Sequence, residues 1–275
     1  MPGTDPTPRP GATSGYVPVN GLNMYYEIHG DGFPLALFHG AMGTIDSCFA
    51  DLLPALTAAR QVVAIELQGH GHTADIDRPL SYRQMAADAA AGLAALGIGV
   101  ADLAGYSMGG AVALELAMQH PDMVRRVVFA GGTSYRRDGL YPEMLAEPES
   151  AADDLTGSAW HQAYLRVAPD PSSWPVLVAK NRELDRVFVG WADEDIQALT
   201  TPMLLIIGDS DIVRPEHTMK MFRLIGGGVI GDIAGLPASQ LAVLPGTSHV
   251  GLLDRVDWLQ SMILEFLGAP EPRSL

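Results

Sequence analysis

Short apolar runs alternate with longer segments of helical periodicity along most of the chain. Eight runs predict strands: Tyr16–Val19, Met24–Ile28, Leu35–Phe38, Val62–Ile65, Asp102–Gly105, Val127–Ala130, Met203–Ile207 and Leu241–Leu244. Several are unbroken aliphatic blocks (VVAI, VVFA, MLLII), the pattern of strands covered on both faces. Asn20-Gly21 joins the first two and suits a type I′ hairpin turn. Helical segments fall at 45–58, 81–96, 109–119, 215–224 and 254–267. Pro215 fits a first helical position, where a missing N–H does no harm. The alternation predicts an α/β fold: a mostly parallel, eight-stranded sheet with helices on both faces.

After the run at 127–130 the alternation lapses for about seventy residues, a stretch longer than the usual βα connection. Segment 134–200 carries Trp160, Trp174, Trp191, prolines and acidic clusters, but no clear strand. A small helical cap inserted over the sheet explains this better than a second domain. The expected organisation is a Pro-rich disordered tail over 1–15, a core formed by 16–133 and 201–275, and the cap over 134–200. The tail has no apolar stretch of the kind a secretory signal needs.

Composition narrows the partners. Among 275 residues, 32 acidic against 17 basic side chains leave a formal net charge of −15. That field repels phosphate backbones and anionic lipid, so neither nucleic acid nor a membrane is an expected partner. No apolar run approaches the ~20 residues of a membrane span. The single cysteine, Cys48, cannot form an internal disulfide, which fits a cytoplasmic location. The oligomeric state is not legible.

Chemistry concentrates at Gly105-Tyr106-Ser107-Met108-Gly109-Gly110, which follows an apolar strand and opens an alanine-rich helix. This is G-x-S-x-G in the strand–turn–helix context that the motif requires. Glycines suit so sharp a turn, and the new helix points its first N–H groups at charge developing beside Ser107. With these residues the chain resembles a serine hydrolase of the α/β-hydrolase superfamily, from Tyr16 to Leu267 and least clearly in the cap. The resemblance implies the chain order nucleophile, acid, histidine. Gly208-Asp209-Ser210-Asp211 follows the Met203–Ile207 strand, and its fourth place makes Asp211 the implied acid. Asp209 suits turn chemistry, bonding its own backbone. The alternative acid position, Gly131-Gly132-Thr133-Ser134, holds no carboxylate. Pro245-Gly246-Thr247-Ser248-His249 follows the last strand and supplies the implied histidine, His249.

His39-Gly40-Ala41-Met42 ends the third strand, and the resemblance implies an oxyanion hole from the backbone N–H groups of Ala41 and Met108. His39 itself reads as a loop-holding residue. His70 and His72 invite a metal reading, but Ala74-Asp75-Ile76 lacks the adjacent Asp-His pair of metallohydrolases, so a glycine-rich turn is expected. No metal or organic cofactor is implied. Met42 and Met108 are expected at the pocket mouth. The three cap tryptophans, Trp160, Trp174 and Trp191, read equally as substrate-pocket wall or cap core.

A serine activated by histidine forms an acyl-enzyme that water then cleaves. The expected function is hydrolysis of a small-molecule carboxylic ester or lactone. A carbon–carbon bond hydrolase stands second, since such relatives carry a longer Gly-Pro-Gly loop where this chain has Ala-Met-Gly-Thr. Perhydrolase activity would use the same apparatus. A non-catalytic ligand receptor on this fold is the remaining alternative.

Overall fold

Continuous aliphatic runs become central strands because successive side chains point to opposite faces, and both faces here are buried. The computed structural model describes residues 11–132, 134–145 and 155–268. Its strands are β1 (Thr13–Val19), β2 (Leu22–His29), β3 (Pro34–Phe38), β4 (Gln61–Ile65), β5 (Ala101–Tyr106), β6 (Val124–Ala130), β7 (Met203–Ser210) and β8 (Gln240–Ser248). They form one sheet in the order β1-β2-β4-β3-β5-β6-β7-β8. β2 runs antiparallel to both β1 and β4, and the remaining pairs are parallel. The hairpin turn has the expected backbone: Asn20 and Gly21 both sit at positive φ, 47° and 87°.

Along β3, Leu35 and Leu37 enter one core cluster while Ala36 and Phe38 enter the other. β7 repeats the split, with Leu204 and Ile206 on the first side and Met203 and Leu205 on the second. The helices are α1 (Ile45–Phe49), α2 (Leu53–Thr57), α3 (Tyr82–Ala95), α4 (Met108–Gln119), α5 (Pro142–Leu145), α6 (Ala159–Val167), α7 (Trp174–Val187), α8 (Asp193–Gln197), α9 (Pro215–Leu224), α10 (Gly231–Ala234) and α11 (Val256–Gly268). Residues of α3 and α4 fill one cluster; α1, α2 and α11 fill the other. None of these helices is long and apolar enough to cross a membrane.

Two expectations shift. The tail expected over 1–15 loses its end to the sheet, because β1 begins at Thr13, paired with Ile28. Thr13, Ser14 and Gly15 carry no apolar alternation to announce an edge strand. Residues 1–10 lie outside the described residues. The helix expected over 45–58 is two short ones, since Pro54 near the start of α2 has no N–H to continue the ladder from α1. Between β6 and β7 the described residues form α5 to α8, and Tyr164, Trp174, Leu177 and Val178 make a separate small core there.

Candidate active site

The turn from β5 into α4 is tight enough to dictate its residue types. A Cβ on Gly105 would lie 2.1 Å from the Gly109 carbonyl oxygen, and one on Gly109 would lie 2.0 Å from that of Phe38. Those obstacles are backbone atoms, which cannot rotate aside. Ser107 sits at φ 54°, a conformation that L-residues rarely adopt and that costs of order 1–3 kcal/mol. The Ser107 N–H donates to Ala130 O at 2.8 Å, and its carbonyl accepts from Gly110 and Ala111 at the start of α4, so both neighbours hold the strained residue.

The structure brings together the three side chains expected to act in concert. His249 Nε2 lies 3.0 Å from Ser107 Oγ, and His249 Nδ1 lies 2.8 Å from Asp211 Oδ1. Asp211 is buried at the end of β7, where its Oδ1 also accepts from the Ile212 N–H at 2.7 Å and the Gly132 N–H at 3.3 Å. Those donors fix the carboxylate, leaving it acceptor-only toward the ring. His249 follows β8, its ring stacked on Tyr106 at 5.2 Å, and the Tyr106 hydroxyl donates to its carbonyl at 3.0 Å. Each side of the imidazole is therefore held.

Asp209 does something the sequence reading missed. Besides bonding within its own turn, its carboxylate reaches across to β8 and accepts from the Gly246 N–H at 2.9 Å and the Thr247 N–H at 3.1 Å. These bonds hold its carboxyl below the usual range. Arg255 clamps the same loop from the other side, through Gly246 O at 2.7 Å and Thr247 Oγ1 at 3.0 Å. His249 follows directly.

The loop beyond β3 is anchored by His39, as expected of a structural residue. Its Nδ1–H donates to Gly40 O at 2.8 Å and its Nε2 accepts from the Leu67 N–H at 3.1 Å. His70 donates from Nδ1 to Gln68 O at 2.9 Å, whereas His72 turns its Nδ1 to Glu66 Oε2 at 2.8 Å. The two imidazoles serve different partners, and no group of three or more metal-ligating side chains occurs among the described residues. Burial pushes both His39 and His70 down to about 4, with each other's proximity adding to the shift at His39. Unfolded histidine titrates near 6.5, so the unfolded chain binds more protons between the two values. Stability contributed by the neutral, buried rings is complete above about pH 6.5 and is lost as pH falls toward 4, of order 3 kcal/mol per histidine. The urea midpoint is expected to drop between pH 7 and pH 5. A His70→Gln protein that loses as much over that interval would show that His70 takes no part.

Ser107 and His249 open onto a cavity of about 420 Å³. Ala41, Met42 and Met108 line it near the serine; Leu140, Leu155, Trp160 and Leu184 wall it from the segment between β6 and β7. Met108 and Gly109 are the first two residues of α4, whose N–H groups have no intrahelical acceptor. Of the four candidate pocket residues, Met42 and Trp160 line the cavity, and Trp174 and Trp191 do not. Trp174 is buried in the small core on α6 and α7, its ring tilted against Tyr164 at 5.3 Å. Trp191 packs against the main core beside Phe188 and donates its indole N–H to Glu115. Trp160, half-buried, lines the cavity and also packs against that small core, so Trp160→Ala is expected to change KM several-fold across substrates with a smaller loss of stability than Trp174→Ala. Trp174→Ala should cost about 3–5 kcal/mol of stability, as other buried aromatic truncations do. Equal melting temperatures for the two variants, measured beside KM, would contradict this division. Sequence reasoning also missed Tyr82, Arg137, Asn181 and Asp185 on the cavity wall; only the tertiary fold collects them.

Comparison with known proteins places this arrangement. A family profile described as "alpha/beta hydrolase fold" matches residues 34–155. The RutD protein of Azorhizobium caulinodans, named for carbamate hydrolysis, is 37% identical over 268 residues, covering 90% of this chain and 95% of that one. The 2-hydroxymuconate semialdehyde hydrolase of Pseudomonas sp. strain CF600 is 40% identical over 224 residues, 72% and 77% of the two chains. The pimeloyl-[acyl-carrier protein] methyl ester esterase of Neisseria meningitidis is 29% identical over 254 residues, 84% and 91% of the two chains. Among solved structures, the meta-cleavage product hydrolase of Pseudomonas fluorescens IP01 superimposes with a TM-score of 0.70 at 21% identity, covering 93% of this chain and 97% of that chain. The chain belongs to the α/β-hydrolase family.

Proposed function

We propose that this hydrolase cleaves a carboxylic ester or lactone through an acyl-enzyme formed on Ser107. The hydrogen-bonded chain from Ser107 through His249 to Asp211, opening onto an apolar cavity, carries the reading. His249 Nε2 takes the hydroxyl proton as Oγ attacks the carbonyl, and Asp211 holds the Nδ1–H tautomer and stabilises the imidazolium. The N–H groups of Ala41 and Met108 receive the developing oxyanion; removing one such donor elsewhere costs about 10²–10³ in kcat. The imidazolium protonates the leaving alcohol, and water repeats the cycle on the acyl-enzyme. Segment 134–200 acts as the cap: it contributes pocket wall and no member of this chain of residues.

A second reading, carbon–carbon bond hydrolysis, is favoured by the 40% identity to the semialdehyde hydrolase. Against it stands the short Ala41-Met42-Gly43-Thr44 loop, without Gly-Pro-Gly. A panel of p-nitrophenyl esters and lactones, run beside a vinylogous 1,5-diketone acid, decides between them. A fluorophosphonate probe should label Ser107 and abolish turnover. Absence of labelling, or turnover of the diketone alone, overturns the ester reading.

A further inference from the structure

Three polar side chains on the cavity wall lie outside the reaction chemistry and have no partner among the described residues. Tyr82 comes from the first turn of α3, Arg137 from the turn after β6, and Asp185 from α7. None of the three side chains makes a hydrogen bond or ion pair among the described residues. The remainder of the wall is mostly aliphatic, aromatic or methionine.

All three lie at the end of α7: Asp185 is in its last turn, the Tyr82 ring meets Phe188 and the Arg137 N–H reaches Val189 O. Asp185 lines the cavity and is exposed; the protein around it still pushes its carboxyl up, while the nearby Arg137 guanidinium opposes the shift. Burial, and then the charge of Asp185, push the Tyr82 hydroxyl up. Opposite charges in a protein cavity ordinarily close into contact, which Arg137 and Asp185 do not. Their backbones are pinned where they are. The Arg137 N–H donates to Val189 O at 3.4 Å, next to a bridge between Arg136 and Gly190 just beyond α7. The Tyr82 ring is held edge-on by Phe188 at 4.7 Å.

A group filling this gap must accept from Arg137 and Tyr82 and donate to Asp185. An aliphatic hydroxyl meets all three demands. A carboxylate would face Asp185, an ammonium would face Arg137, and a methyl would strip water from all three and pair with none. We propose that Tyr82, Arg137 and Asp185 form a polar subsite that recognises a hydroxyl group on the substrate. The preferred substrates are then hydroxylated esters or lactones, not plain alkyl esters. This rests on the ester-hydrolase reading above.

The test compares p-nitrophenyl esters of butanoic, hexanoic and octanoic acids with their ω-hydroxy analogues, and with the ω-carboxy and ω-amino analogues. At one chain length or more, the hydroxyl should raise kcat/KM by roughly 30-fold over the parent ester, chiefly through KM. In Tyr82→Phe and in Asp185→Ala, each made separately and checked for an unchanged melting temperature, that ratio should fall toward one. A ratio near one at every length in the wild type overturns the proposal, as does a preference that survives both substitutions. Preference for the ω-carboxy or ω-amino ester overturns it too, assigning the gap to an anion or a cation. If no ester turns over, the ester reading fails by itself. Binding of methyl hexanoate and methyl 6-hydroxyhexanoate to the Ser107→Ala protein, read by tryptophan fluorescence, then decides the subsite alone: tighter binding of the hydroxy ester supports it, and equal binding overturns it.

Discussion

Replacing Ser107 by alanine is expected to remove ester turnover almost completely and leave the fold in place. The strained elbow is held by its backbone: the Ser107 N–H on Ala130 O, the Ser107 carbonyl under Gly110 and Ala111, and the glycine contacts on either side. The hydroxyl's partner is His249, at 3.0 Å. Alanine adopts the φ of 54° no less readily than serine, so the substitution removes the proposed nucleophile and little else. Losing the serine in a comparable protease lowers kcat about 10⁶-fold, the remainder coming from the oxyanion hole and binding. kcat/KM on one p-nitrophenyl ester, alongside a thermal melt, is the measurement. An alanine variant that keeps a tenth of the activity places the nucleophile elsewhere.

What was legible in the sequence follows from how locally each feature is encoded. The central strands announce themselves because burial on both faces forces unbroken aliphatic runs such as Val62–Ile65. The elbow is equally plain, since Gly105 and Gly109 have backbone atoms where a Cβ would go. Segment 134–200 reads as a helical cap without helix bounds, although it carries two start signals. Ser158 accepts from the His161 N–H as an N-cap, and Pro175 stands in the first turn of α7. Contacts made across the fold left no trace. Trp191 meets Glu115 across 76 residues and Asp209 meets Gly246 across 37, distances over which no local pattern operates. The polar wall of Tyr82, Arg137 and Asp185 belongs to the same class: three unremarkable surface types until α3, α7 and the turn after β6 converge.

Asp211→Asn should lose at least about a hundredfold in kcat/KM, and Asp209→Asn should stay within roughly tenfold of wild type. The two carboxylates stand two residues apart but face different partners. Asp211 Oδ1 accepts from His249 Nδ1–H as well as from the Ile212 and Gly132 backbone. The Gly132 N–H also reaches Oδ2, at 3.4 Å, so an asparagine there places its NH₂ either at Oδ1, toward the ring, or at Oδ2, toward that backbone N–H. Turned to the ring, it selects the tautomer with the proton on Nε2, which cannot take the proton of Ser107. Turned to the backbone, it sets donor against donor. The same substitution in a serine protease lowers kcat about 10⁴-fold. Among the described residues the Asp209 carboxylate bonds Gly246, Thr247, its neighbour Ser210 and its own backbone, so its loss loosens the loop ahead of His249 without changing the ring's tautomer. Its carboxyl is held below the unfolded value by those N–H bonds, so its contribution to stability is present above the unfolded pKa and is lost as pH falls through the folded one. Asp209→Asn should therefore melt below wild type at neutral pH, with the gap closing in strong acid. A larger activity loss in Asp209→Asn than in Asp211→Asn, measured on one ester at one pH, would transfer the acid's role to Asp209.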